Sequence, residues 1–193
     1  MEFYKALFTA VVGGISVYYF PKWIKGLCNY FRPILVYQFS DNKPDTMPGI
    51  RHSFGQFVKD EEALSKKAWE HTSGGSGGGD ATCFGPYTKE IPFRGRYKAR
   101  FRIKICGIKD QNTDIIKLDV AYGSREGVGI PIVEKILKGK NLNDGKYKDF
   151  DVKFEYDGQS LIEFRCFVIN PRRYNVDRII FDNVKIFMIA DFV

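Results

Sequence analysis

Histidine is nearly missing from this chain: His52 and His71 are all it has. Neither stands in a nucleophile or metal-binding motif, so no histidine-assisted catalysis is indicated. The four cysteines form no CxxC pair and no Cys/His spacing of the kind zinc needs. Cys28 lies beside the apolar N-terminus, and Cys106 follows the polar register of its strand. Cys166 shares a face with Ile162, Phe164 and Val168. Those registers point Cys106 and Cys166 to different sides, so scattered reduced thiols are expected rather than a disulfide framework. No Asn-x-Ser/Thr sequon occurs, since Asn112 is followed by Thr113 and then Asp114. P-loop and dinucleotide-binding patterns are also missing, and the glycine-rich run 74–79 opens no helix. Carboxylates are plentiful, yet no pair stands out for glycoside hydrolysis. The chain reads as non-catalytic.

Blocks of like charge are absent as well. The formal charge is +7. Lys5, Lys22, Lys25 and Arg32 against Glu2 place +3 of this in residues 1–40, which leaves +4 for the rest. Without a run of five or more like charges, a nucleic-acid-binding arm is not indicated.

What the sequence does have is an uncharged apolar run at residues 6–20, ALFTAVVGGISVYYF, followed by PKWIKGLCNYF. It is short of the roughly 20 residues a full span needs. Phe3, Tyr4 and the Trp23–Ile24 pair extend it nearly far enough, and Tyr18, Tyr19 and Trp23 suit the headgroup level. A membrane-anchoring helix is the preferred reading, with Leu7, Phe8, Val11, Val12, Ile15, Val17 and Trp23 as its apolar contacts. A cleaved signal peptide fits less well, because no A-x-A-like site follows. A buried or interfacial helix is the third reading. The side of the membrane on which the rest of the chain lies stays open.

The chain divides at this point into residues 1–33, the hydrophobic anchor segment, and residues 34–193. The second part is rich in period-two alternation. From Tyr97 to Ile105 the side chains of Tyr97, Ala99, Phe101, Ile103 and Ile105 fall on one face, and Lys98, Arg100, Arg102 and Lys104 on the other. Such alternation puts one face in a core and the other in water. Further strands are expected at 34–40, 68–72, 113–122, 129–137, 148–156, 160–169 and 178–189. Between them stand turn signals such as Asn143-Asp144-Gly145, Asp157-Gly158 and Asn170-Pro171. Residues 60–67 read as one helical turn or a loop. The run SGGSGGGD at 73–80 has the composition of a designed linker, but strand signals resume directly after it, which favours a natural loop. Strands at this spacing without intervening helices define an antiparallel β-sandwich.

Particular residues then carry a resemblance. Asp60–Ala63 with Ala68-Trp69, FGPY at 84–87, the RGRY turn at 94–97, FRIK at 101–104, the Gly145-x-Tyr147-x-Asp149-Phe150 turn, EFR at 163–165 and FDNVKI at 181–186 form one series. Together they resemble the galactose-binding-like β-sandwich, or jelly roll, of carbohydrate-binding modules, over residues 34–193. The resemblance implies an all-β fold behind an N-terminal hydrophobic helix and a lectin-like sugar- or glycoconjugate-binding role. Relatives of this kind also bind proteins or lipids, so a structural module of a membrane-associated complex is the alternative. It further implies a structural calcium, for which Asp182 matches the acidic position before the last strand. The partner carboxylate expected on the first strand is replaced by Gln38.

A sugar site needs an aromatic face and nearby fixed polar groups in a depression. With strands alternating in direction, loops 73–80, 106–113, 139–147 and 170–177 gather at one end. That end offers Asp80, Tyr147, Asn170, Arg172, Arg173 and Tyr174 as ligand-binding candidates. The basic stripe 98–104 is a second candidate, with Asp151, Glu155 and Glu163 as the acids that neutralise it. Trp69 is read as core rather than platform.

Overall fold

The structure is a computed structural model, and it describes residues 11–12, 15–16, 33–38, 50–52, 55–71, 81–123, 129–142, 144–169 and 176–189. Fourteen strands occur among them. The first two, β1 (Val11–Val12) and β2 (Ile15–Ser16), pair with each other antiparallel. The expected anchor helix otherwise falls outside the described residues. Among the described residues no helix is long and apolar enough to cross a membrane.

The remaining strands are β3 (Leu35–Gln38), β4 (Arg51–His52), β5 (Gly55–Lys59), β6 (Lys67–His71), β7 (Ala81–Phe84), β8 (Pro86–Thr88) and β9 (Gly95–Cys106). They continue with β10 (Asp114–Tyr122), β11 (Ile130–Lys138), β12 (Tyr147–Tyr156), β13 (Ile162–Val168) and β14 (Arg178–Met188). They form two antiparallel sheets. The first runs β12-β9-β14-β6-β5, with β3 also on β14; the second runs β11-β10-β13-β7-β4, with β8 also on β13. The two sheets face each other as a β-sandwich, as the alternating pattern predicts.

Strand β9 sits inside the first sheet between β12 and β14. Its five alternating apolar residues, Tyr97 to Ile105, are all buried. They meet Ile116, Leu118 and Val120 of β10 and Ile162, Phe164, Cys166 and Val168 of β13 in one continuous core. Aromatic rings cross the layers: Phe154 of β12 meets Phe164 of β13 edge-on at 5.9 Å, and Tyr37 of β3 stacks on Phe164 at 6.0 Å. Such pairs contribute about 0.5–1.5 kcal/mol beyond the area they bury. Trp69 is buried, with the Phe57 ring edge-on at 5.0 Å, in agreement with its reading as core.

The outer face of β9 departs from expectation. Lys98, Arg100, Arg102 and Lys104 are half-buried rather than freely solvated. Two rings explain this. Lys98 and Arg100 lie over Phe187 at 4.9 and 5.0 Å, and Arg102 and Lys104 over Tyr147 at 4.8 and 4.5 Å. Acids complete the lattice. Asp151 takes a forked pair of hydrogen bonds from Arg100 at 2.7 and 2.9 Å and lies 3.3 Å from Lys98. Lys104 pairs with Asp60 and Glu62, and the Tyr147 hydroxyl donates to Asp60 at 3.1 Å. Of the three acids expected to neutralise this stripe, Asp151 does so, whereas Glu163 lies on the second sheet and pairs with Arg165. Residues 60–66 form a compact turn over this face, closed by Asp60 N–H to Lys66 O and Lys66 N–H to Ala63 O.

This lattice has a pH signature. Burial pushes Asp60 and Asp151 upward, but the hydrogen bonds and charges of Lys104 on the one and of Arg100 and Lys98 on the other outweigh it. Both carboxyls are held below their ordinary value. A carboxyl with a lowered folded pKa contributes stability above its unfolded value, about 3.9, and that stability is lost as the pH falls through the folded value. The urea midpoint is therefore expected to fall steadily below about pH 4, and Asp151→Asn to flatten that slope. An identical slope in the variant would show that Asp151 is not responsible.

Candidate functional site

Among the described residues, parts of three of the loops expected to gather at one end do meet. Gly107 N–H donates to Asp144 Oδ1 at 2.7 Å, Lys140 N–H to Gln111 O at 2.8 Å, and Asp177 N–H to Cys106 O at 2.8 Å. Lys109 adds an ion pair to Asp177 at 2.9 Å. Segments 107–113, 139–142 and 144–146 and the base of the β13–β14 connection thus meet at one end. Asp80, Asn170, Arg172, Arg173 and Tyr174 lie outside the described residues. Tyr147 starts β12 at this end, but its ring carries the Arg102 and Lys104 cations and its hydroxyl serves Asp60. Burial and the neighbouring Asp60 and Asp182 charges push its phenol further up.

Tyr147 and Asp182 belong to one cluster, with Arg102 between them. Strand β14 has a bulge between Phe181 and Asn183, and Asp182 is the extra residue. Its carboxylate is fully buried. It accepts from the Leu64 N–H at 3.1 Å on both oxygens and pairs with Arg102 Nε at 3.0 Å. A calcium ion prefers several oxygen ligands, carboxylates among them. Here a guanidinium already faces the carboxylate, and among the described residues no group of three or more His, Cys, Asp or Glu comes together. Among the described residues, Asp182 is committed to Arg102 and the Leu64 amide and has no further carboxylate grouped with it.

The second sheet supplies what the sequence reading missed. On β13 the buried core face is Ile162, Phe164, Cys166 and Val168, so Glu163, Arg165 and Phe167 point outward. The antiparallel register sets them beside Ala121, Asp119 and Lys117 of β10. Arg165 forks onto Asp119, Nε to Oδ1 at 2.7 Å and Nη2 to Oδ2 at 2.8 Å. Its Nη1 donates to Gly129 O at 3.1 Å and to Glu163 Oε1 at 3.3 Å. All three charged residues are buried although they lie on an outer face: Asp119 is 0%, Glu163 2% and Arg165 6% exposed. Burial raises the Glu163 carboxyl, against the opposing pull of the Arg165 charge and a hydrogen bond with Tyr87. Gly129 passes so close that a Cβ there would lie 2.7 Å from Tyr122 O and strike the Glu163 carboxylate. Beside this triad, Lys117 Nζ sits 4.6 Å from the centre of the Phe167 ring and Arg165 Cζ 5.3 Å from it, while Lys117 also pairs with Glu134 at 3.0 Å.

The result is an aromatic ring held among oriented charged groups on one face of a sheet. Phe167 pairs in register with Ala81 and stands two residues before Ile169, whose N–H donates to Ile115 O at 2.9 Å. Ala81 and Ile169, the described residues that border the segments carrying the other candidates, therefore lie near this ring. The signal was in EFRCF and KLD: two segments, each with a basic and an acidic residue on its non-core register.

The fold is an antiparallel β-sandwich of two sheets. It is similar to the CBM22-1–GH10 modules of endo-1,4-β-D-xylanase 10B from Clostridium thermocellum, solved with xylohexaose. There 83% of this chain aligns with 29% of that one at 16% identity and a TM-score of 0.51, so the chain spans under a third of that protein's length. It is also similar to a carbohydrate esterase from the Shiga toxin-encoding bacteriophage phi24B. In that case 82% of this chain aligns with 99% of the other at 12% identity and a TM-score of 0.52. No protein-family model and no curated protein sequence matches the chain. At these identities the likeness describes the fold alone.

Proposed function

We propose that this protein is a non-catalytic carbohydrate-binding module whose ligand rests on the outer face of the second sheet, against Phe167. The observation that carries the reading is the Phe167 ring beside Lys117 and the Asp119–Arg165–Glu163 triad. A sugar ring offers an apolar C–H face and a rim of hydroxyls. It is held by an aromatic surface, here the half-buried Phe167 ring, while the buried triad beside it fixes the strand that presents the ring. One guanidinium engages both Asp119 and Glu163, so neither carboxylate is free to act as acid or base, which supports binding without turnover. Asp80, Asn170, Arg172, Arg173 and Tyr174 are proposed as further ligand-binding residues. The apolar segment 1–33 is proposed as a membrane tether.

The full chain, extracted from membranes in mild detergent, is to be screened on a glycan array with calcium and again with chelator. Binding to a defined sugar class is expected. Phe167→Ala should weaken it at least about tenfold, the size of an aromatic anchor's contribution, while the variant keeps the far-UV circular dichroism spectrum of the folded wild type. A blank array from folded protein would overturn the carbohydrate reading, and full affinity in Phe167→Ala would move the site elsewhere. Recovery of the full chain in the soluble fraction would dismiss the tether.

A further inference from the structure

Two of the cysteines that look scattered in the sequence are brought together. Cys83 of β7 and Cys166 of β13 are register partners in the antiparallel ladder. Both are buried, at 2% and 0% exposure, in the core between the sheets, and both are free thiols. Residues directly opposite in such a ladder have Cα atoms about 4.5–5.5 Å apart, inside the roughly 4.4–6.8 Å window of disulfides. The ladder is already irregular at this point, with a register shift between Cys166 and Phe167, which lets the strands adjust. Cys106 ends β9 on the other sheet, where its neighbours in register are on β14.

We infer that Cys83 and Cys166 are a disulfide site, closed by exchange with a small disulfide such as oxidised glutathione while the chain folds. The thiolate of one cysteine attacks the glutathione disulfide and releases one reduced glutathione. The second cysteine then displaces the other glutathione from the mixed disulfide. Two thiol protons and two electrons leave the protein, and two glutathione thiols are formed. Once the sandwich has closed, burial keeps the Cys166 thiol protonated, so the bond forms before final packing and resists exchange afterwards. The bridge would tie β7 to β13 directly beneath Arg165 and Phe167. It holds the strands from which the loops before Ala81 and after Ile169 depart. It does not depend on what that face binds.

The test is refolding of the full reduced chain in a glutathione redox buffer, followed by thiol titration in denaturant and non-reducing peptide mapping. Two of the four thiols should remain, Cys28 and Cys106, and one peptide pair should be joined through Cys83 and Cys166. The oxidised form should melt roughly 5–15 °C above the reduced one. Cys83→Ala should leave three thiols, no linked pair and the melting point of the reduced wild type. Cys106→Ser, which leaves the paired residues untouched, should still form the bridge. Four reactive thiols after oxidative refolding, or a link through Cys28 or Cys106, would overturn the assignment.

Discussion

Replacing Arg165 with methionine is expected to lower the unfolding free energy by about 3–5 kcal/mol, the usual cost of removing one partner from a buried ion pair. The guanidinium forks onto Asp119 and also reaches Glu163 and the Gly129 carbonyl. Without it two buried carboxylates face each other across an apolar side chain, and the Gly129 oxygen loses its donor. Both acids would then favour the neutral form. A carboxyl with a raised folded pKa contributes stability at low pH that is lost as the pH rises. The variant should therefore gain stability between about pH 7 and pH 5, a range in which carboxyls with ordinary values do not titrate. Urea denaturation at the two pH values measures both effects. Adding Asp119→Leu to Arg165→Met should recover much of the loss, because it removes one stranded charge. A loss under about 1 kcal/mol in the single variant would mean that the triad is solvated and is not a rigid support for Phe167.

The triad also shows where the sequence stops being informative. Alternation on β9 could be read directly, because a strand with one core face repeats every two residues whatever its neighbours are. The same rule applied to EFRCF assigns Phe164 and Cys166 to the core and sends Glu163 and Arg165 outward, which is correct. It does not show that the outward face is itself covered, since that depends on the register of β13 against β10 and on Gly129 passing over Glu163. The pairing of Cys83 with Cys166 was hidden for the same reason: it joins strands far apart in the chain. Cys106 and Cys166 do lie on different sheets, as their registers implied. Tyr147 starts β12 near the described loops 107–113 and 139–142. The long cationic side chains of Arg102 and Lys104, which pattern reading leaves in water, lie over its ring.

Asp182 is the residue on which family resemblance and local geometry diverge, and its replacement should also have a large effect. FDNVKI matches a position that supports calcium in the sandwiches this sequence resembles. A bulge is invisible to a period-two reading, however, and here it delivers the carboxylate to Arg102 and to the Leu64 amide. Asp182→Ala removes an acceptor from a buried N–H and a partner from Arg102, and it frees the 60–66 turn from the first sheet. A loss of about 2–4 kcal/mol is expected. The loss should be the same in excess calcium and in chelator, because Arg102 supplies the positive charge in this place. Thermal melts of wild type and variant in both buffers give that comparison. If calcium raised the wild-type midpoint and left Asp182→Ala unmoved, the ion would be displacing the guanidinium, and Arg102 would be a gate to the site rather than its occupant.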